Sequence, residues 1–314
     1  MTRHVLDVTD LAVDELRRVI DLAGVEPSEL GSPLRVDGVA RGVALVFQKP
    51  SLRTRQSMEM AVAQLGGHPV TSRDDEIGFD VRESVEDITR ILCGFHSIVA
   101  ARVHDHTVLA RMAAVADRPV VNMLSDRSHP LQALADVLTM EHVFGHVSGR
   151  TVAWIGDYNN VARSLAEACA MLGARVRFAC PVGFGPSEAE VESLTVLGQH
   201  EIAVSSRPHD VVAGADAVHT DTWVSMGDEA EAARRERAFE GFTIDASVMA
   251  AAPSHAVFLH CLPAHRGVEV SADVIDGPQS LVVAQGHNRL HAARGLLAFL
   301  AASQAASQAG EGST

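Results

Sequence analysis

Four residues within one five-residue stretch could bind an anion. The stretch is Ser51-Leu-Arg-Thr-Arg55, and it supplies two hydroxyl groups and two guanidinium groups. It follows an apolar run, Val43 to Phe47, and Pro50 before it is typical of a helix start, where unpaired N–H groups and the helix dipole attract anions. A phosphate group held from several sides is therefore the predicted ligand. The alternative is a capped surface helix whose arginines are solvated.

Five more polar groups lie at predicted strand-to-helix junctions elsewhere in the chain. In open parallel α/β sheets, ligands bind beyond the carboxyl ends of the strands, so polar side chains at these junctions are candidates for a site. Their number, together with the stretch from Ser51, indicates a site rather than a set of turns. The five groups are Arg102, His129–Gln132, Asp157–Asn160, Asp221–Gly227 and His260–Pro263.

Each of these residues also has an ordinary structural interpretation. Arg102 could extend from a strand end into solvent, and His129 could cap the helix that follows it. Cys261, a single cysteine at a strand end, is by residue type more often a buried apolar group than a nucleophile. Asp221 and Ser225 could simply form a turn. Taken one at a time, the residues leave both interpretations open.

The composition is that of a globular protein without membrane segments or disulfides. Hydrophobic residues make up 47% of the 314 and charged residues 21%, and the length suits two domains of about 150 residues each. No apolar run approaches the ~18 residues of a membrane span, and no signal peptide is recognised, so we expect a cytoplasmic protein. The four cysteines lack paired spacing, which favours free thiols over disulfides or a metal cage.

The net charge and the spacing of the glycines each argue against one class of ligand. A net charge of −14 argues against nucleic acid. An acidic protein that binds an anion must concentrate positive charge locally, as Arg53 and Arg55 would do. Gly156-Asp-Tyr-Asn-Asn160 follows a predicted strand but lacks the three-glycine pattern of a dinucleotide site, so a nicotinamide dehydrogenase is disfavoured.

Strands alternate with helices along the chain, which predicts α/β architecture with parallel sheets covered by helices. The last residues, 303–314, are rich in Ala, Ser, Gln and Gly and are predicted to be disordered. The predicted strands are 43–47, 69–71, 97–101 and 119–122, then 151–155, 175–180, 217–220 and 257–260. The predicted helices are 7–24, 56–65, 83–95, 107–116 and 130–144, then 160–172, 188–199 and 288–302, and residues 72–80 are predicted as a mobile loop.

Taken together, the motifs resemble the aspartate/ornithine carbamoyltransferase family, and in particular its ornithine-type members. The resemblance extends from Arg3-His4 to Leu300, nearly the whole chain. Ser51 to Arg55 is similar to the family's Ser-Thr-Arg-Thr-Arg carbamoyl-phosphate motif, and Asp221 to Gly227 matches the ornithine-type Asp-x-Trp-x-Ser-Met-Gly. Further matches are Gln64–His68, the His-Pro-x-Gln motif at His129–Gln132, the Asp-Gly-Asn-Asn motif at Asp157–Asn160, His260–Gly267 and Asn288–His291.

The resemblance implies a carbamoyl-phosphate-binding domain at residues 1–135 and an ornithine-binding domain at 145–287. Two interdomain helices join them, and the helix at 288–302 packs back on the first domain. A homotrimer, or a multiple of trimers, with active sites shared between neighbouring subunits is also implied. The partners are the two small substrates, with no nucleic acid, membrane, metal or other cofactor.

Site residues are likewise carried over from the family. Three of them, Arg102, His129 and Cys261, are expected to be catalytic. For carbamoyl phosphate, the resemblance implies Ser51, Leu52, Arg53, Thr54, Arg55, Arg102, His129, Gln132, Leu262 and Arg289. For ornithine, it implies Asn160, Asp221, Ser225, Met226 and Cys261.

The chemistry of these residue types agrees with a carbamoyl transfer. A neutral δ-amine attacks the carbamoyl carbon, and fixed cations and hydrogen-bond donors stabilise the charge on the carbonyl oxygen and the departing phosphate. Asp221 would supply counter-charge to an ammonium-bearing substrate, and Cys261 would position or deprotonate the amine. The predicted reaction forms L-citrulline and phosphate from L-ornithine and carbamoyl phosphate, as in arginine biosynthesis.

Several positions depart from the family pattern. Leu52 replaces a Thr, which removes a hydroxyl group from the phosphate site, and Tyr158 replaces a Gly. Gly78 stands where the family has a Gln or His that reaches the neighbouring subunit's phosphate, and Ala284–His287 replaces an acidic run. These departures keep two alternatives open: a different acceptor, such as acetyl- or succinylornithine, or a non-catalytic ligand-binding paralogue.

Overall fold

Strands and helices alternate along the chain, and all strands except one short hairpin are parallel to their neighbours. The computed structural model describes residues 2–200, 202–224 and 229–311. The strands are β1 (Arg35–Val36), β2 (Val39–Ala40), β3 (Gly42–Phe47), β4 (His68–Arg73), β5 (Ile98–Arg102), β6 (Val120–Leu124), β7 (Thr151–Ile155), β8 (Arg175–Ala179), β9 (Ala203–Ser205), β10 (Ala217–Thr220) and β11 (Val257–His260). The helices are α1 (Val13–Gly24), α2 (Pro27–Leu30), α3 (Leu52–Gln64), α4 (Asp74–Ile77), α5 (Val85–Phe95), α6 (His106–Val115), α7 (Pro130–Phe144), α8 (Asn160–Met171), α9 (Glu188–Gly198), α10 (Pro208–Val212), α11 (Ala232–Ala238), α12 (Ala246–Ala251), α13 (Ala272–Ile275) and α14 (Val282–Glu311).

The chain divides into two compact units. The first unit ends at Leu138 and resumes at Asn288, and the second is Thr139–His287. Helices α7 and α14 each contain residues of both units. Among the described residues, no helix is both long and apolar enough to span a membrane.

The first unit is built on a four-stranded parallel sheet in the order β4-β3-β5-β6. Strand β3 is a near-continuous apolar run, and five of its six residues are buried, as expected for a strand covered on both faces. The chain passes from β3 to β4 on one side and then crosses to β5 on the other. The strand order therefore reverses between β3 and β5, and the loops that follow these two strands flank the crevice where ligands of such sheets bind.

The second unit is also built on a parallel sheet, with five strands in the order β11-β10-β7-β8-β9. Strand β7 is buried throughout. From β7 the chain proceeds outward through β8 and β9 and then returns to β10 on the opposite side of β7. Here the order reverses between β7 and β10, so the loops after these strands flank the second crevice. These two helix-covered parallel sheets confirm the predicted fold class.

Helix α14 is tied to α1 within the first unit by a buried arginine. The guanidinium of Arg294 donates from Nη2 to the carbonyl oxygens of Ala23 (3.2 Å) and Val25 (2.7 Å), at the end of α1. Its Nη1 donates to Oε1 of Gln64 at 3.0 Å. Burial lowers the pKa of Arg294, although the charge of Glu26 opposes the shift. Cations are favoured at a helix C-terminus, where carbonyl groups lack intrahelical partners.

The last helix is longer in the structure than the sequence predicted. Helix α14 runs from Val282 to Glu311, whereas the sequence predicted a helix at 288–302 followed by disorder. Residues 303–311 continue the helix because alanine and glutamine, which dominate this segment, are good helix formers. Residues 312–314 lie outside the described residues.

Two local predictions also differ from the structure. The first predicted helix is split, because the Asp10 carboxylate accepts from the N–H of Asp7 (2.9 Å) in a short 3-10 turn and α1 begins only at Val13. The predicted mobile loop at 72–80 contains α4, and its apolar residues Ile77 and Phe79 pack into the core of the first unit.

Candidate active site

The loop after β3 leads directly into a capped helix terminus. Ser51 is the N-cap of α3, and its hydroxyl oxygen accepts from the N–H of Thr54 at 3.3 Å. The preceding loop is tied to the end of β5, since Gln48 donates its N–H to the carbonyl of Arg102 (2.9 Å) and accepts from the N–H of His104 (3.1 Å). The free N–H groups of α3 therefore lie beside the crevice between β3 and β5.

Two arginines at the start of α3 have different surroundings. Arg55 donates from Nε to Oε1 of Glu59 at 2.8 Å, and the same oxygen accepts from the hydroxyl of Thr71 at 2.7 Å. Burial acts to raise the pKa of Glu59, but these two hydrogen bonds and the charge of Arg55 lower it below its usual value. Arg53 is partly exposed, and no described group accepts a hydrogen bond from its guanidinium. Arg53 is therefore the cation that is left available for an anion.

A buried polar cluster lies within the first unit. Arg289 donates from Nη1 to Oε1 of Gln132 at 2.5 Å and from Nη2 to the hydroxyl oxygen of Thr54 at 3.2 Å. Its Nη1 also lies 3.3 Å from Nε2 of His129. Burial, followed by the charges of Arg289 and Arg102, lowers the pKa of His129 well below its usual value. The imidazole is therefore neutral, and Nε2 is positioned to accept while Nδ1 carries the proton.

The orientation of the Gln132 amide is fixed by a carboxylate. Gln132 donates from Nε2 to Oδ1 of Asp136 at 2.7 Å, and both side chains are buried on α7. The amide oxygen is thereby directed toward Arg289. The structure thus gathers four predicted residues, Thr54, His129, Gln132 and Arg289, although they are far apart in the sequence.

In the second unit, one contact joins the loops that flank the crevice. Asn159 donates from Nδ2 to Oδ2 of Asp221 at 2.8 Å, and its Oδ1 caps α8 by accepting from the N–H groups of Val161 and Ala162. The predicted residue Asn160 is the first residue of α8. Asn159 lies within the predicted group Asp157–Asn160 but was given no substrate-binding role, although its position directly before a helix is a capping signal.

Among the residues that the structure describes, Asp221 receives hydrogen bonds from neutral donors only. Besides Asn159, its carboxylate accepts from the N–H of Thr222 (2.8 Å) and from the thiol of Cys261 (2.8 Å). The side chain is largely buried, and no described Lys, Arg or His forms an ion pair with it. A buried carboxylate without a cation favours the binding of a positively charged group. The structure therefore brings together two of the predicted residues, Asp221 and Cys261.

The loop that carries Cys261 is fixed by a buried histidine and glutamate. His260 accepts at Nδ1 from the N–H of Leu262 (2.9 Å), and its Nε2 donates to Oε1 of Glu269 (3.2 Å). Asp221, His260 and Cys261 offer donor atoms within 4.8 Å of one another, a spacing that a metal ion could use. Because both ring nitrogens of His260 are already engaged, these three side chains do not present three free ligands.

Comparison with known proteins decides the family. Residues 3–142 match the family model for the carbamoyl-P binding domain of aspartate/ornithine carbamoyltransferases, and residues 148–300 match that for the Asp/Orn binding domain. The chain belongs to the aspartate/ornithine carbamoyltransferase family. This confirms the resemblance that the motifs indicated.

Members of the carbamoyltransferase family from several organisms are similar to the chain over almost its full length. The ornithine carbamoyltransferase of Acidothermus cellulolyticus is 43% identical over 96% of this chain and 97% of the relative. That of Thermus thermophilus is 41% identical with the same coverage. A crystal structure of ornithine carbamoyltransferase from Thermus thermophilus has a TM-score of 0.86 at 38% identity over 96% of this chain and 99% of that chain. The Pyrococcus furiosus enzyme has a TM-score of 0.88 at 37% identity over 95% and 96%.

Two of the residues that depart from the carbamoyltransferase pattern, Leu52 and Gly78, lie in the first unit. Leu52 opens α3 with its side chain 75% exposed. Gly78 has φ +57°, and a Cβ atom there would lie 2.9 Å from Cγ and Cδ of Arg82, so the Arg82 side chain occupies the space beside it. A Gln or His at position 78 would displace that arginine.

The other departures lie in the second unit. Tyr158 packs edge-on against Phe178, with ring centroids 5.3 Å apart, and burial followed by the charge of Glu190 raises its pKa above its usual value. Within Ala284–His287, the buried Gln285 accepts from the N–H of His260 at 2.9 Å. Leu262 packs against the core of this unit, while the predicted residues Ser225 and Met226 lie outside the described residues.

Proposed function

We propose that this protein transfers the carbamoyl group of carbamoyl phosphate to the δ-amine of L-ornithine, giving L-citrulline and phosphate. The observation that carries the proposal is a pair of uncompensated charges of opposite sign. Arg53, in the carbamoyl-P binding unit, is a cation without a partner among the described residues, and Asp221, in the Asp/Orn binding unit, is a carboxylate with neutral donors only. One suits a phosphate and the other an ammonium group.

The proposed carbamoyl-phosphate site is formed around the N-terminus of α3 and the buried Arg289 cluster. Arg53 and the free N–H groups of α3 hold the phosphate, and Arg102 and neutral His129 donate to the carbamoyl oxygen. A neutral imidazole can donate from Nδ1 because its Nε2 faces Arg289. The complete proposed set is Ser51, Leu52, Arg53, Thr54, Arg55, Arg102, His129, Gln132, Leu262 and Arg289.

The proposed ornithine site is centred on Asp221. The carboxylate attracts the substrate ammonium, and Cys261, whose thiol donates to the same carboxylate, positions the reacting amine. Asn160, Ser225 and Met226 complete the proposed set. The hydrogen bond from Asn159 keeps Asp221 oriented.

In the proposed reaction, the substrate ammonium first gives one proton to solvent, and the neutral amine then attacks the carbamoyl carbon. A nitrogen–carbon bond forms as the carbon–oxygen bond to phosphate breaks, and the nitrogen gives its second proton to the leaving phosphate as the ureido group becomes neutral. Negative charge grows on the carbonyl oxygen and on the leaving phosphate, where Arg102, His129 and Arg53 stabilise it.

We further propose that the protein acts in the cytoplasm, in arginine biosynthesis, as a homotrimer or a multiple of trimers with shared active sites. The family match supports this assignment. The net charge of −14 and the four cysteines without paired spacing are consistent with a cytoplasmic protein.

A colorimetric assay for ureido products tests the proposed activity. Purified protein is incubated with carbamoyl phosphate and, separately, ornithine, acetylornithine, succinylornithine, lysine, putrescine or aspartate. We expect citrulline from ornithine well above every other product, and loss of it in the Arg53→Ala variant. Turnover of another amine alone would contradict the acceptor, and bound carbamoyl phosphate without any turnover would contradict the activity.

A further inference from the structure

Two carboxylates follow the paired strands β7 and β10, and within the described part of the chain only one of them is paired with a cation. Asp157 lies two residues after β7, and Asp221 lies directly after β10. Arg235, on α11, donates from Nη1 to Oδ2 of Asp157 at 2.6 Å and to the carbonyl oxygen of Trp223 at 3.1 Å. A single guanidinium thus contacts both loops of the crevice in the second unit.

Aromatic packing fixes the position of this guanidinium. Arg235 lies over the ring of Phe184, 5.2 Å from its centroid, and its side chain is only 12% exposed. Phe239, which follows α11, is fully buried and packs against both Phe184 (4.9 Å) and Trp223 (5.3 Å). Because the ion pair is largely shielded from water, its loss would remove a strong attractive contact from Asp157.

We propose that Arg235 is a positioning residue for the acceptor site. By pairing with Asp157 it leaves Asp221 as the uncompensated carboxylate of the two, and by holding the Trp223 carbonyl it fixes the backbone that follows Asp221. Without Arg235, two negative charges at adjacent strand ends repel each other and displace the loops. This inference rests on the proposed function, in which Asp221 binds the substrate amine.

The neighbouring Arg234 provides a matched control. It lies on the same helix, 5.5 Å from the same Phe184 ring and 3.6 Å from Glu231, but its side chain is 67% exposed and it contacts neither Asp157 nor Trp223 by a described hydrogen bond. The Arg234→Gln and Arg235→Gln variants therefore change the net charge equally. Only the second removes the contact to the two loops.

Kinetics and direct binding test the proposal. Arg235→Gln should raise the KM for ornithine about tenfold or more, the range expected when a charged hydrogen-bond partner is lost, and leave the KM for carbamoyl phosphate within about twofold. Arg234→Gln should change neither. Inorganic phosphate does not react with L-ornithine, so calorimetric titration in its presence measures ornithine binding alone. The ratio of the ornithine dissociation constants of Arg235→Gln and wild type should match the ratio of their KM values.

A double variant separates positioning from general loss of structure. If repulsion from Asp157 causes the defect, Asp157→Asn should restore most of the ornithine affinity to Arg235→Gln. Unchanged ornithine affinity in Arg235→Gln, an equal loss in Arg234→Gln, or no recovery in the double variant would each overturn the proposal. If wild-type protein binds ornithine without making citrulline, the proposed function fails while the binding ratios still test Arg235; no ornithine binding by wild type overturns both.

Discussion

At the scale of single residues, Arg53 and Arg55 differ in how much of their charge is available. Both lie in the first turn of α3, and the sequence assigns both to the phosphate. Arg55 is already bound to Glu59, which in turn holds Thr71 on β4. Its contribution to an anion site is therefore reduced by a neighbouring negative charge, whereas the charge of Arg53 has no such partner among the described residues.

The difference gives a paired prediction for the phosphate site. Arg53→Ala should lower kcat/KM for carbamoyl phosphate roughly a hundredfold because a charge-assisted donor is lost. This corresponds to a loss of about 3 kcal/mol of transition-state stabilisation. Arg55→Ala should lower it by less than about tenfold. Steady-state kinetics with ornithine at saturation measure both. A near-normal rate for Arg53→Ala, or a larger loss for Arg55→Ala, would contradict the assignment.

Asp221 is the corresponding residue of the second unit. Asp221→Asn keeps the size of the side chain and an oxygen that can accept from Thr222, but it removes the charge. We expect the KM for ornithine to rise about 10- to 100-fold, while carbamoyl phosphate binding is unchanged. Asp216→Asn makes the same chemical change at the opposite end of β10 and should leave both constants unaltered. Equal effects of the two variants would refute the special role of Asp221.

At the scale of elements, the contact of α14 with α1 depends on a glycine. A Cβ atom at Gly295 would lie 2.5 Å from the carbonyl oxygen of Val19 and 2.7 Å from the backbone nitrogen of Ala23, so the helices can approach only because position 295 has no side chain. Gly286 lies on the same helix in open space, since a Cβ atom there would have no neighbouring atom within 4 Å.

The two glycines should respond to the same substitution in opposite directions. Gly295→Ala should destabilise the protein by about 2 kcal/mol or more, because backbone atoms must move apart. Gly286→Ala should stabilise it by about 0.5–1 kcal/mol through the better helix propensity of alanine. Urea unfolding of both variants gives the comparison. Similar free energies of unfolding for the two would show that the helices do not pack as described.

Asp216 joins the N-terminal ends of β7 and β10 in the second unit. Its carboxylate accepts from the N–H of Thr151 (2.9 Å), from Arg150 (3.0 Å) and from His255 (3.0 Å). Burial acts to raise the pKa of Asp216, but these hydrogen bonds and the charge of Arg150 outweigh it, and the pKa lies below its usual value. The folded state therefore binds this proton less readily than the unfolded chain does.

Because the pKa of Asp216 is lowered in the folded state, the free energy of unfolding should depend on pH in the acid range. The stabilisation by ionised Asp216 is fully present above the unfolded-state pKa of about 3.9 and is lost as the pH falls through the lower folded-state value. Asp216→Asn should therefore be less stable than wild type at pH 6, and the difference should shrink below about pH 4. Urea midpoints measured between pH 3 and 6 test this. A difference that stays constant with pH would rule out the carboxylate as its source.

At the scale of the whole molecule, the proposal includes an assembly of several chains, because the proposed active sites are shared between neighbouring subunits. Three chains of 33.4 kDa should give a particle of roughly 100 kDa, or a multiple of it. Size-exclusion chromatography with light scattering measures the mass directly. A monomer at micromolar concentration would contradict the homotrimer, and the kinetic tests of Arg53 and Asp221 would remain interpretable without it.

Much of this architecture could be predicted from the sequence because its signals are local. Runs such as Val43–Phe47 indicate buried strands, and Ser51 before a helical pattern indicates a cap. The pairing of Arg55 with Glu59 is also local, because the two residues are four positions apart on α3. The partner of Arg235 could not be predicted in this way, because folding brings Asp157 close to it across 78 positions.

The ends of elements were also beyond local reasoning. The length of α14 was underestimated because the polar, alanine-rich segment after 302 fits both a disordered tail and a helix.

The first unit is assembled from both ends of the chain, and this sets an order of events during synthesis. The second unit is one continuous segment that ends at His287, so it can fold while the last residues are still inside the ribosome. The first unit must wait for Arg289, which binds Thr54 and Gln132, and for Arg294, which holds α1. The part of the protein made first is thus the part finished last, and a chain released by a stop codon before position 289 would lack the arginine at the centre of the buried polar cluster of the first unit.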